Sequence, residues 1–87
     1  MSEFTLRIEL EDNDLVRTLA GAQSEQLRLL EKRTGAKISQ RGTTFTVTGS
    51  EPEAELAARA LRELYGLLRG GYPLYPEDVE QAVRVLA

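Results

Sequence analysis

Two glycines fourteen residues apart bracket the segment that most limits how this chain can fold. Gly21 ends one apolar-striped stretch, Ser24 stands where a helix N-cap belongs, and Gly35 stops the next stretch before Ala36-Lys37-Ile38. Leu27 and Leu30 share one helical face between them. The spacing predicts a helix to Ala20, a tight turn, a second helix over about 24–34, and then a strand. Arg28, Lys32 and Arg33 ride on that second helix. Exposed amides at a turn, flanked by basic side chains, suit a phosphate group.

On either side the periodicity changes. Phe4, Leu6, Ile8 and Leu10 alternate with Thr5, Arg7 and Glu9, the period of a strand with one buried face. Residues 11–14 (Glu-Asp-Asn-Asp) supply caps for the first helix. Ala36 and Ile38 lead into Ser39-Gln40-Arg41-Gly42-Thr43, read as a hairpin bend around glycine. Thr44, Thr46 and Thr48 then alternate with Phe45 and Val47 as another strand. Ser50-Glu51-Pro52-Glu53 opens a long helix to about Arg69 with Ala57, Ala60, Leu61, Leu64 and Leu68 as its buried stripe. Glu55, Arg59 and Glu63 fall on its exposed side at i,i+4 spacing. Gly70-Gly71 stops it, residues 72–75 form an extended linker, and Pro76 opens a last helix striped by Val79, Ala82, Val83 and Leu86. The expected class is a two-layer α+β sandwich with a three-stranded sheet, in the order βααββα plus a C-terminal helix. Residues 1–70 form its core and residues 71–87 the linker and last helix, all in one domain.

Composition removes several functions. At 87 residues there is room for one core only, with 41% hydrophobic and 29% charged residues. With no cysteine or histidine, disulfides and thiolate metal sites are excluded, the usual general base is missing, and a nucleophilic triad would need an unusual one. No glycine of the seven precedes a lysine, so the phosphate loop G-x-x-x-x-G-K-[ST] is missing. Catalysis by this chain alone is not expected, and no cofactor or metal site is assigned. No apolar run is long enough for a membrane span. The start, Met-Ser-Glu-Phe-Thr, lacks the pattern of a signal peptide, so a cytoplasmic location is expected.

The net charge of −3 opposes indiscriminate binding to polyanions. Charge is nevertheless segregated. Residues 3–14 hold Glu3, Glu9, Glu11, Asp12 and Asp14 against Arg7, whereas residues 28–41 hold Arg28, Lys32, Arg33, Lys37 and Arg41 against Glu31. A local basic face of this kind serves a nucleic-acid partner, and it serves equally as a solvated helix face with a charged strand edge. The five aromatics, Phe4, Phe45, Tyr65, Tyr72 and Tyr75, all lie outside residues 14–41. Phe4 and Phe45 point inward, leaving an aliphatic groove with basic rims and no stacking platform.

The order of elements and the bracketed segment resemble the KH family of single-stranded nucleic-acid-binding domains. In that family an I-G-x-x-G turn joins two helices ahead of a G-A-x-I strand start. Leu19, Gly21, Leu27, Leu30, Gly35, Ala36 and Ile38 fall at matching spacing, and Phe45, Val47 and Gly49 match the following strand. Over nearly the whole chain, most specifically in R-G-x-x-F-x-V-x-G (residues 41–49) and P-E-D-V (residues 76–79), the sequence is similar to the N-terminal domain of PhoH-like proteins. Those are ring-forming bacterial ATPases named for phosphate starvation and linked to RNA metabolism.

That resemblance implies single-stranded RNA as partner, held at Gly21, Ala22, Gln23 and Ser24 with Arg28, Lys32, Lys37 and Arg41 around them. It also implies an ATPase domain outside this chain as a second partner, with ATP and Mg bound there. One departure weakens the match: the turn carries serine in place of the family's second glycine and has no lysine. Binding should therefore be weak and rest on the basic side chains. Two other outcomes stay open. Gly21 and Ser24 are equally read as helix caps in a plain connection. The segment over 72–86 equally suits a homo-oligomer or other protein contact without nucleic acid.

Overall fold

A computed structural model describes residues 3–87. Strand β1 (Phe4–Glu9) is followed by helix α1 (Asn13–Ala20), a single 3-10 turn (Ala22–Ser24) and helix α2 (Glu25–Thr34). Strands β2 (Lys37–Arg41) and β3 (Thr44–Gly49) form a hairpin, and helices α3 (Glu51–Arg69) and α4 (Pro76–Leu86) complete the chain. The sheet is antiparallel in the order β1-β3-β2, so β2 is an edge strand. The expected α+β class and element order are both present.

The sheet has one dry and one wet face because its strands alternate. Leu6, Val47 and Ile38 stand side by side in one rung, and Ile8 and Phe45 in the next. These inward side chains meet Leu19, Leu30, Leu61 and Leu64 in the core, where Phe45, Leu19, Leu61 and Leu64 are fully buried. Each such side chain contributes about 1.5–3 kcal/mol of burial free energy. Phe4 is half-buried against the cluster. All five expected apolar positions of α3 are buried.

Local chemistry sets the helix boundaries. Asp12 caps α1, its carboxylate accepting from the amides of Asp14 and Leu15. Ser50 and Glu53 form a reciprocal capping box at the start of α3, with Pro52 in its first turn. Tyr65 on α3 reaches back so that its hydroxyl accepts the Asp12 amide at 3.1 Å, tying α3 to the start of α1. Helix α4 buries Val79 and Val83 against α2 and α3, and Glu80 pairs with Arg33 on α2. The last helix therefore shares the one core, and of the linker Leu74 packs partly against it.

Two local expectations are corrected. Strand β2 runs through Ser39, Gln40 and Arg41, which sequence pattern places in the bend; only Gly42 (φ 61°) and Thr43 turn. Pairing to Thr46, Phe45 and Thr44 holds those polar residues extended. Ser24 does not cap α2. It sits at φ 59°, ψ 30°, in the left-handed region, and its side chain makes no capping hydrogen bond.

Candidate nucleic-acid interface

The turn between α1 and α2 is built on positive φ. Gly21 adopts φ 79° and its amide donates to the Arg17 carbonyl. A Cβ at Gly21 would come within 2.8 Å of Cγ of Gln26, itself buried, so glycine is required by space as well as by conformation. Gln23 (φ 53°) and Ser24 (φ 59°) follow, both left-handed and neither a glycine. The fold thus imposes at Ser24 a conformation that suits glycine, at a cost of about 1 kcal/mol or more. The serine hydroxyl is left exposed.

From Ser24 the basic residues rise along α2. Arg28 and Lys32 are one turn apart on the same face, an arrangement that is mildly repulsive in isolation. Gly35 (φ 85°) ends the helix and lets the chain reverse directly into β2. The reversal sets Lys37 beside the two helical cations. A cleft of about 850 Å³ lies there, with Arg28 and Lys32 on one wall, Lys37 and Ser39 on the other, and Ala36 and Ile38 between. Thr46 and Thr48 of β3 extend it, and Glu3 stands at its margin.

Glu31 also lines this cleft. Its carboxylate accepts the Ile38 amide at 2.8 Å, occupying a donor of the edge strand that no neighbouring strand satisfies. Edge amides are open sites for an external hydrogen-bonding partner. Here a negative charge stands at the one that opens on the basic cleft.

The expected site residues separate in space. Arg28, Lys32 and Lys37 share the cleft. Arg41 lines a different one, of about 480 Å³, with Arg7, Ser39, Gln40, Thr44 and Thr46. Gly21, Gln23 and Ser24 line neither, the serine standing one helical turn ahead of Arg28, and the side chain of Ala22 lies outside what the structure describes. Arg33, part of the same basic run, is directed away to Glu80 in the only salt bridge among the described residues. Glu31, Ser39, Thr46 and Thr48 did not stand out in the sequence. Placing the hairpin turn at residues 42–43 would have found three of them, since it aligns Ser39 with Thr46 and Lys37 with Thr48.

The KH domain family matches residues 5–63, from β1 into α3. The chain belongs to the KH domain family. This KH domain is 40% identical over 73 residues to a PhoH-like protein of Mycobacterium leprae, covering 84% of the chain and 21% of that protein. It is 32% identical over 77 residues to a PhoH-like protein of Bacillus subtilis, covering 88% of the chain and 24% of that protein. The chain therefore spans about a fifth to a quarter of the length of these relatives. In fold the KH domain also resembles a chain in the crystal structure of the a/eIF2alpha–aDim2p–rRNA complex from Pyrococcus horikoshii. The TM-score is 0.74 at 22% identity, over 97% of this chain and 47% of that one.

Among the described residues of the KH domain, no group of three or more acidic side chains is placed to hold a metal ion. No helix among them is long and apolar enough to cross a membrane.

Proposed function

We propose that this KH domain is the N-terminal RNA-binding part of a PhoH-like protein and that it holds a short single strand weakly in the cleft between α2 and β2. The observation that carries this is the convergence of Arg28, Lys32 and Lys37 on one cleft, none of them salt-bridged among the described residues, in a chain of net charge −3. Cations unpaired by the protein are available to phosphate, and each phosphate neutralised releases counterions. Ala36 and Ile38 line the cleft but belong to the buried core, so bases find little apolar surface and no aromatic platform there, which fits weak binding. The turn at residues 21–24 faces the backbone of the strand, whereas Arg41 lies outside this cleft. The rRNA complex that contains a chain of similar fold supports RNA as the polyanion. ATP and Mg belong, on this view, to the remaining length of a PhoH-like protein, in the cytoplasm, with this domain feeding RNA to it.

The test is a fluorescence anisotropy titration of labelled single-stranded RNA at about 50 and 200 mM salt. The double charge reversal Arg28→Glu/Lys32→Glu should weaken binding at least tenfold and lower the salt slope by about 0.7 for each phosphate no longer neutralised. Affinity indifferent to both salt and the double variant removes the proposal.

A second function, assembly through residues 72–86, is favoured by the exposure of Tyr72, Tyr75 and Val85, at 65%, 56% and 73%. Because Val79 and Val83 belong to the core, truncation is a poor test of it. Sedimentation of a Tyr72→Ser/Tyr75→Ser/Val85→Ser variant is better. A monomer in both wild type and variant counts against assembly.

A further inference from the structure

The outward face of the sheet is polar throughout and carries a charge opposite to that of the whole chain. Arg7 of β1 pairs with Thr46 of β3, which pairs with Ser39 of β2, so one rung presents a guanidinium and two hydroxyls. The rung nearest the hairpin turn is Glu9, Thr44 and Arg41, and there the Glu9 carboxylate already accepts the Thr44 hydroxyl at 3.1 Å. Lys37 completes the face. Arg7, Lys37 and Arg41 thus stand against Glu9 and, at the margin of the neighbouring cleft, Glu3, all five exposed.

The helices pack on the opposite side of the sheet, and no apolar side chain emerges on this one. A second sheet or a hydrophobic partner would find nothing to bury here. A hydrated polyanion finds both cations and hydroxyl donors. It also finds a path: the cleft between α2 and β2 and the cleft around Arg7 and Arg41 share Ser39 and Thr46. The two are therefore contiguous over the β2 edge. From strand geometry, Lys37 and Arg41 lie about 13 Å apart along β2, and Arg7 about 10 Å across the sheet from Ser39.

Resting on the cleft proposed above, we infer that the RNA strand does not end there but crosses β2 and continues over the open sheet face. Arg7 and Arg41 hold its phosphates on that face, and the hydroxyls of Ser39 and Thr46 lie along its sugar–phosphate backbone. With no aromatic on the face, the contact is to the backbone and is independent of base sequence. It lengthens the footprint beyond the roughly four nucleotides that a KH cleft clamps.

The experiment uses two single-stranded RNAs, of about four and about twelve nucleotides, titrated onto wild type and variants at low salt. Arg7→Glu should weaken the longer RNA about tenfold and change the shorter less than twofold. Arg7→Gln should give about a threefold loss on the longer RNA only. Arg41→Glu supplies an independent variant with the same expected asymmetry, and circular dichroism checks that each folds. Equal effects on both lengths, or none on either, overturn the inference and leave the cleft intact. Failure of the cleft itself is distinguished by Arg28→Glu/Lys32→Glu leaving the shorter RNA unaffected. Absence of binding at either length overturns both. If Arg7→Glu changes sedimentation but not RNA affinity, the face contacts a second copy and the inference is wrong.

Discussion

The Ile38 amide donates to the Glu31 carboxylate at 2.8 Å, across the reversal that Gly35 makes between α2 and β2. Glu31 thus stands among three cations, satisfying the backbone of an edge strand while opposing phosphate in the same cleft, with Glu3 a second acid at its margin. Glu31→Gln keeps an acceptor at that position and removes the charge. It should tighten RNA binding about threefold to tenfold at low salt and destabilise the fold by about 1 kcal/mol or less. Glu31→Ala, which frees the amide, should cost more stability. Paired anisotropy titrations and urea melts separate the two effects; weaker binding in Glu31→Gln would mean that the carboxylate helps to hold the ligand.

The turn ahead of α2 gives opposite results at two neighbouring positions. Gly21→Ala meets both a positive φ and Gln26, and should destabilise by about 1–3 kcal/mol. Ser24→Gly removes the left-handed cost without losing a cap, since the serine makes none, and should stabilise by about 0.5–1 kcal/mol. Urea denaturation of both variants checks the signs. Stabilisation by alanine at Gly21, or loss of stability with glycine at Ser24, would refute a turn governed by positive φ.

Tyr65 joins two elements whose sequence separation is 53 residues, through one hydrogen bond to the Asp12 amide. Tyr65→Phe keeps the ring in its buried place and leaves that amide without its acceptor. The expected loss is about 1 kcal/mol, with hydrogen exchange accelerated first at the start of α1. Unchanged exchange at residues 12–15 would show that the hydroxyl plays no part.

Val79 is fully buried on α4, outside the region that the KH family matches. Val79→Ala should cost about 2 kcal/mol in a cooperative melt, because α4 belongs to the core rather than decorating it. A separate early transition for α4, seen by residue-resolved exchange, would contradict that.

What could be read from the chain alone was whatever its neighbours along the chain decide. The period-two run from Phe4 to Leu10, the Ser50–Glu53 capping box and the stripe of α3 are local patterns, and the structure follows them. Ser24 misled because its residue type favours a cap, whereas the packing that closes α1 onto α2 imposes a left-handed backbone there. Residues 39–41 resemble a bend because they lack apolar alternation; their extension comes from pairing with β3. In the basic run, spacing could not tell Arg28 from Arg33. One lines the cleft and the other pairs with Glu80, forty-seven residues away, a choice made only when α4 docks.

That docking has a mechanical consequence. Helix α2 is held on one side by the core and at Arg33 by Glu80, while Arg28 and Lys32 ride on its exposed side. Because α4 packs on both α2 and α3, a displacement of α4 acts on the helix that carries the cationic wall of the cleft as well as on the helix that lies against the sheet.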